Sequence, residues 1–167
     1  MRFGSSEIGW RSLLLSTLLY TGAWGKKDAP GVHYTKLPHV AVNLIYFEDS
    51  DVVMYEDRVD RVVWRSENAG ESWKKVEAAP EGKLLELVLH QYDSKRAYII
   101  TSESTHWATK DRGETWEKFF TDYQASIFRQ PALAFHAGDP DRIIFHAMDC
   151  TGIFCEELVG SSGGKDC

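Results

Sequence analysis

Two octapeptides in this chain share one uncommon pattern, and their spacing constrains the fold more than any other feature. Ser66-Glu67-Asn68-Ala69-Gly70-Glu71-Ser72-Trp73 and Thr109-Lys110-Asp111-Arg112-Gly113-Glu114-Thr115-Trp116 both read Ser/Thr-x-Asp/Asn-x-Gly-x-Ser/Thr-Trp. Their tryptophans stand 43 positions apart, within the roughly 40–50 residues of one propeller blade. A short motif met once carries little weight. Met twice at that period, it predicts a chain built from repeats.

The residue types explain what such a motif does. Asn68 or Asp111 is expected to fold its side chain onto backbone N–H groups about two residues ahead and so close a tight turn. Gly70 and Gly113 supply positive φ without a steric penalty. Ser66, Thr109, Ser72 and Thr115 are short hydroxyl residues suited to the flanks of the turn, and Trp73 and Trp116 begin the returning strand with a large apolar anchor. Ser66, Asn68, Gly70, Ser72, Trp73, Thr109, Asp111, Gly113, Thr115 and Trp116 are therefore read as structural staples. No catalytic residue, cofactor site or metal site is assigned to them.

The repeat extends past these turns. Leu87-Val88-Leu89-His90-Gln91-Tyr92-Asp93-Ser94-Lys95-Arg96-Ala97-Tyr98-Ile99 aligns with Leu133-Ala134-Phe135-His136-Ala137-Gly138-Asp139-Pro140-Asp141-Arg142-Ile143-Ile144-Phe145. Each is an apolar strand ending in His, a turn around Asp, an Arg and a second apolar strand. Leu44 to Met54 is a weaker copy. Leu84, Leu87 and Val88 share a helical face, but the alignment makes Lys83–Gln91 a strand. Its equivalent position in the repeat gives His90, like His136, a structural role. The order strand, turn, strand, stapled turn, strand predicts an all-β fold: the first two to three blades of a propeller, with an incomplete ring. Blades are expected over about 38–80, 81–125 and 126–167. The third contains no stapled turn, and the chain is read as a fragment of a longer array. An unclosed array leaves an apolar face bare, so the isolated chain is expected to be marginally stable or prone to aggregate.

The N-terminus reads as a secretory signal peptide over 1–25. Arg2 and Arg11 precede the apolar run Leu13–Tyr20, and Ala23 and Gly25 fit cleavage before Lys26. Secretion places Cys150, Cys155 and Cys167 in an oxidising compartment, where they are candidates for a disulfide of open pairing. His136, His146, Cys150 and Cys155 match no zinc spacing. The net charge of −6, with no basic patch interleaved with aromatics, argues against a nucleic-acid partner. Glu56, Asp57 and Asp60, interspersed with Arg58 and Arg61, read as a solvated hairpin tip. No nucleophile elbow, phosphate-cradling glycine loop or metalloprotease helix is present.

The stapled turns resemble the Asp-box (BNR) repeats of sialidases, of some secreted plant-polysaccharide hydrolases and of the sortilin family. Arg65–Trp73 and Thr105–Trp116, the latter with its preceding His106-Trp107, are most similar to the first two boxes of fungal vacuolar protein-sorting receptors of the sortilin family. The similarity spans about Val32 to Cys155. It implies the luminal start of a ten-bladed receptor propeller in the Golgi and endosome pathway, and no enzyme. The implied partners are soluble vacuolar hydrolases such as carboxypeptidase Y, with the membrane reached only through C-terminal parts beyond these blades. Two alternatives stand beside it: the start of a secreted Asp-box glycosidase, and a truncated product with no ligand. Against the glycosidase, Phe128-Arg129-Gln130-Pro131 follows both boxes, whereas the arginine motif of sialidases precedes theirs.

Overall fold

The computed structural model of the chain describes residues 31–128, 131–151 and 154–162. The expected signal peptide over 1–25 and Cys167 lie outside the described residues. All regular structure among the described residues is β, and no helix there is long and apolar enough to cross a membrane.

Three antiparallel sheets follow one another along the chain. The first runs in sequence order through β1 (Ala41–Tyr46), β2 (Val53–Asp57), β3 (Val62–Ser66) and β4 (Lys74–Lys75). The second repeats this meander with β5 (Leu84–Leu89), β6 (Ala97–Thr101), β7 (Thr105–Thr109) and β8 (Glu117–Phe120). Lys83–Gln91 is thus built around a strand, as the repeat requires, and not a helix. The registers superpose: Val53 faces Ser66 as Ala97 faces Thr109, and Tyr55 faces Trp64 as Ile99 faces Trp107. Every residue of β2 and of β6 is buried, because both faces of each sheet are covered. That explains why these strands read as continuous apolar runs.

The third sheet is built differently. β10 (Leu133–His136), β11 (Asp139–Thr151) and β12 (Phe154–Ser161) are neighbours in that order, and the short β9 (Gln124–Ala125) pairs with the later part of β11. The sheet therefore draws in residues that precede position 126. β11 and β12 form a long hairpin in register from Ile144↔Ser161 to Thr151↔Phe154. Near its tip Cys150 and Cys155 face each other and are disulfide-bonded.

The core lies between sheets. Phe47, Met54 and Val63 of the first sheet pack with Leu87, Ala97, Ile99 and Trp107 of the second. Val88, Tyr98 and Ile100 on the opposite face of the second sheet pack with Leu133, Phe145 and Ala147 of the third. Each sheet thus has a front face for the next blade and a back face for the preceding one. Burial of each such aliphatic side chain contributes about 1.5–3 kcal/mol.

Polar clamps join the sheets as well. A bulge in β1 places Asn43 at φ 48, and its amide nitrogen donates to Glu56 Oε1 at 2.8 Å and to the Leu87 carbonyl at 2.6 Å. Glu56 Oε1 also accepts the Leu87 N–H at 2.8 Å. Side chains of the first blade thus satisfy both backbone groups of one residue on β5. Far from being a solvated hairpin tip, Glu56 and Asp57 are 0% exposed; Glu56 meets Arg58 at 3.1 Å through its other oxygen. Glu86 does similar work one blade further on, accepting the Ala132 N–H at 2.9 Å. Its burial raises its pKa above the ordinary carboxylate value.

Replacing Glu56 with Ala strands the Leu87 N–H and removes the clamp. The expected loss is about 1–3 kcal/mol of stability, with faster hydrogen exchange at the Leu87 amide. An unchanged exchange rate at Leu87 in Glu56→Ala would contradict the clamp.

Candidate functional site

Both motif turns stand at one end of their sheets, following β3 and β7, and they share one hydrogen-bond pattern. In the first, Ser66 Oγ accepts the Asn68 N–H at 3.3 Å and the Gly70 N–H at 2.8 Å while donating to Asn68 Oδ1 at 3.0 Å. Asn68 Oδ1 then accepts the Ser72 N–H at 3.0 Å and the Ser72 hydroxyl at 3.2 Å. In the second, Thr109 Oγ1 accepts the Asp111 and Gly113 N–H groups at 3.2 and 2.8 Å and donates to Asp111 Oδ1 at 2.7 Å. Asp111 receives the Thr115 N–H at 2.9 Å and its hydroxyl at 2.5 Å. The leading hydroxyl therefore caps the amides two and four residues ahead, and the Asn or Asp reaches four residues ahead rather than two. β4 and β8 begin one residue after Trp73 and Trp116.

Burial alone would raise the Asp111 pKa. The hydrogen bonds from Thr115 and Thr109 together outweigh it and hold the carboxyl below its ordinary value. A carboxylate committed in this way is unsuited to proton transfer.

Two features of these turns carry no sequence signature. Ala69 and Arg112 precede the glycines and also have positive φ, 53° and 60°. Their N–H groups donate to Asp51 O at 2.8 Å and to Lys95 O at 2.9 Å, tying each motif turn to the other turn at the same end of its blade. The second turn also reaches across to the first blade, where Arg65 Nε donates to Arg112 O at 2.9 Å. Gly113 lies at this junction: a Cβ there would overlap Met54 Cε and crowd Trp116 and Arg65.

The aligned turns around His90 and His136 repeat their bonds too. His90 Nδ1 accepts the Tyr92 N–H at 3.1 Å, and His136 Nδ1 accepts the Gly138 N–H at 3.2 Å. Asp93 and Asp139 each cap the amide two residues on, at 3.0 and 3.1 Å. Arg96 adds a bridge to the third sheet through Pro140 O and Asp141. Two histidines are buried where the second sheet meets the third: His90 against Phe135, and His106 against Phe145. Burial lowers the pKa of both, that of His106 to about 4.

One cluster has metal-ligand geometry. His39, Asp57 and Asp60 bring ligand atoms within 4.8 Å of one another. These atoms already serve one another and the hairpin: His39 Nδ1 meets Asp57 Oδ2 at 2.8 Å, and Asp57 Oδ1 accepts the Val59 and Asp60 N–H groups. Cys150 and Cys155 are joined to each other, which leaves neither thiolate to a metal. Between β8 and β12 a cleft of 640 Å³ is lined in part by Phe119, Phe120, Tyr123, Phe145 and Leu158.

A family model described as Sortilin-Vps10 (sortilin, neurotensin receptor 3) matches residues 61–163 and so takes in both motif turns and most of all three sheets. The chain belongs to the sortilin/Vps10 family. Relatives bearing the name vacuolar protein sorting/targeting protein 10 are similar along most of its length. The Verticillium alfalfae protein is 45% identical over 157 residues, 94% of this chain and 11% of its own. The Fusarium vanettenii protein is 44% identical over 152 residues, covering 91% of this chain and 10% of its own. The Mycosarcoma maydis protein is 39% identical over 140 residues, or 83% and 9% respectively. This sortilin-family chain thus spans about a tenth of the length of these relatives.

The two motif glycines separate local strain from interface packing. Gly70→Ala meets only the left-handed backbone, at about 1–2 kcal/mol, since its nearest neighbour is Trp73 at 3.4 Å. Gly113→Ala adds overpacking against Met54, a further 1–3 kcal/mol or so, and denaturant melts of the two variants should rank accordingly. Equal losses would contradict the junction.

Acid should weaken the packing of the second sheet on the third. The folded state holds His106 neutral down to about pH 4, while the unfolded chain binds its proton near pH 6.5. Stability is therefore complete above about pH 6.5 and declines as pH falls toward 4. The fall should shrink in His106→Gln, read by thermal melts across that window.

Proposed function

We propose that this chain is the N-terminal luminal part of a receptor that binds soluble vacuolar hydrolases, carboxypeptidase Y among them, and directs them from the Golgi toward endosomes and the vacuole. The observation that carries this reading is the match of both motif-bearing sheets to the sortilin/Vps10 family and to fungal relatives named for vacuolar protein sorting. The geometry supports it against a hydrolase. The acidic and hydroxyl groups of both motifs are spent on closing turns, and Asp111 is held ionised by them. In this reading the blades are a rigid start to a larger ring, the motifs act as staples with no catalytic, cofactor or metal role, and cargo is bound with the help of further blades. Residues 1–25 are the signal that admits the chain to the secretory pathway, and the membrane is engaged through parts of the receptor C-terminal to these blades.

The test is exchange. This chain replaces the corresponding first tenth of a fungal relative in cells lacking their own receptor, and carboxypeptidase Y is then assayed in the medium. Retention inside the cell is expected with the exchanged segment, and secretion with the same segment carrying Gly113→Ala. Secretion with both, from receptors present at equal levels, would overturn the proposal.

A further inference from the structure

The three sheets share a register, so positions on one blade can be compared with those on the next. Met54 pairs with Arg65 as Tyr98 pairs with Ala108, and Ile144 occupies the same place opposite Ser161. Two residues on, Glu56 faces Val63 and His146 faces Val159. Ile144 and Val159 are thus the third blade's versions of Met54 and Val63.

At the internal interfaces these positions contact the following blade. Met54 and Val63 pack in one cluster with Trp107, which is only 4% exposed. Tyr98 and His106 meet Phe135 and Phe145 of the third sheet. On the third blade, Ile144 and Val159 are 41% and 67% exposed.

At the other end of the array, the back face of the first blade has the same form as the face that accepts Met54 and Val63. Tyr55, Trp64 and Trp73 stand where Ile99, Trp107 and Trp116 stand on the second blade. A strap, residues 35–39, lies there. Thr35 Oγ1 donates to the backbone carbonyls of Gly70 and Glu71 at one end, and His39 meets Asp57 at the other. In between, Leu37 and Pro38 leave a cavity of 420 Å³ beside Trp64 and Trp73, and the buried Trp64 Nε1 has no acceptor. Most of the strap is exposed, with only Leu37 and His39 half-buried. It is a light cover over a wide aromatic surface.

We propose that the back face of the first blade is a docking surface for a second copy of this chain, whose third blade inserts Ile144 and Val159 against Trp64 in place of the strap. The occupant follows from continuity. The same register positions already fill the same tryptophan site inside the molecule, between its first and second blades. Donor and acceptor faces differ, so the contact is head-to-tail and propagates to a ring or a filament. The inference does not depend on the receptor reading.

Sedimentation velocity of the full chain over a concentration series tests it. Leu37→Ser loosens the strap and should tighten self-association about tenfold, a shift readily resolved in binding constants. Val159→Arg changes an exposed residue and should abolish association, alone and combined with Leu37→Ser. Because Val159→Arg keeps its own first blade intact, adding it to the unmodified chain should end growing assemblies and lower their average mass. Association that ignores Val159→Arg, a Leu37→Ser chain no stickier than the parent, or no terminating effect on mixing would each overturn the proposal.

Discussion

The structure depends on one contact made twice: the front face of a sheet pressed against the back face of the next. Neither face is large enough alone, since a four-stranded sheet of short strands cannot bury its own apolar side chains. Met54 and Val63 find their dry environment only against Trp107 and Ile99, and Tyr98 and Ile100 find theirs only against Leu133 and Phe145. The fully buried β2 and β6 follow from this, because a strand central to a sheet with two covered faces has no solvent side.

The stapled turns make that contact reproducible. A turn closed by its own side chains has few conformations to lose when a neighbour docks on it, so it can be a fixed part of an interface. The second turn shows the use made of this. Its backbone carbonyl at Arg112 receives Arg65, and its glycine lets Met54 approach where any side chain would intrude. Glycine therefore has two duties at that position and chiefly one, the positive φ, at Gly70. Sequence similarity between the motifs hides this difference, which arises only because the second blade has a described predecessor and the first does not.

Much of the architecture could be read from residues. The motif period announces the repeat, the turn after a His-terminated strand recurs, and the alignment with Leu133–Ala137 resolves Lys83–Gln91 as a strand. What escaped reading depends on contacts across blades. Glu56 lies in a run of charges that resembles a solvated tip, yet it is drawn inside because Leu87 and Asn43 offer it three hydrogen bonds between them and Arg58 a counter-charge. Asn43 must adopt positive φ to take part, and no local pattern marks it. The recruitment of β9 into the third sheet escapes for the same reason, since two residues carry no periodicity. Within the motifs, the hydroxyl residue proves to be the principal cap and the Asn or Asp the longer reach, because the turn is wide enough to close over four residues rather than two.

A repeat that buries front against back is polar in the way a stack of cups is polar: every unit can accept and every unit can insert. Inside the molecule both capacities are used, and only at the ends does a blade hold one in reserve. The two ends are treated differently. The first blade carries a thin strap across its aromatic back face, held by one threonine hydroxyl and one histidine. The third leaves Val159 and Ile144 in solvent. The contrast follows from chemistry. An aromatic wall with a buried, unanswered indole N–H is costlier to leave open than two aliphatic side chains on an otherwise mixed surface carrying His146 and Glu157. The strap is thus best understood as the lightest cover that keeps the acceptor face folded while leaving its shape, set by the register of β2 and β3, ready for a blade.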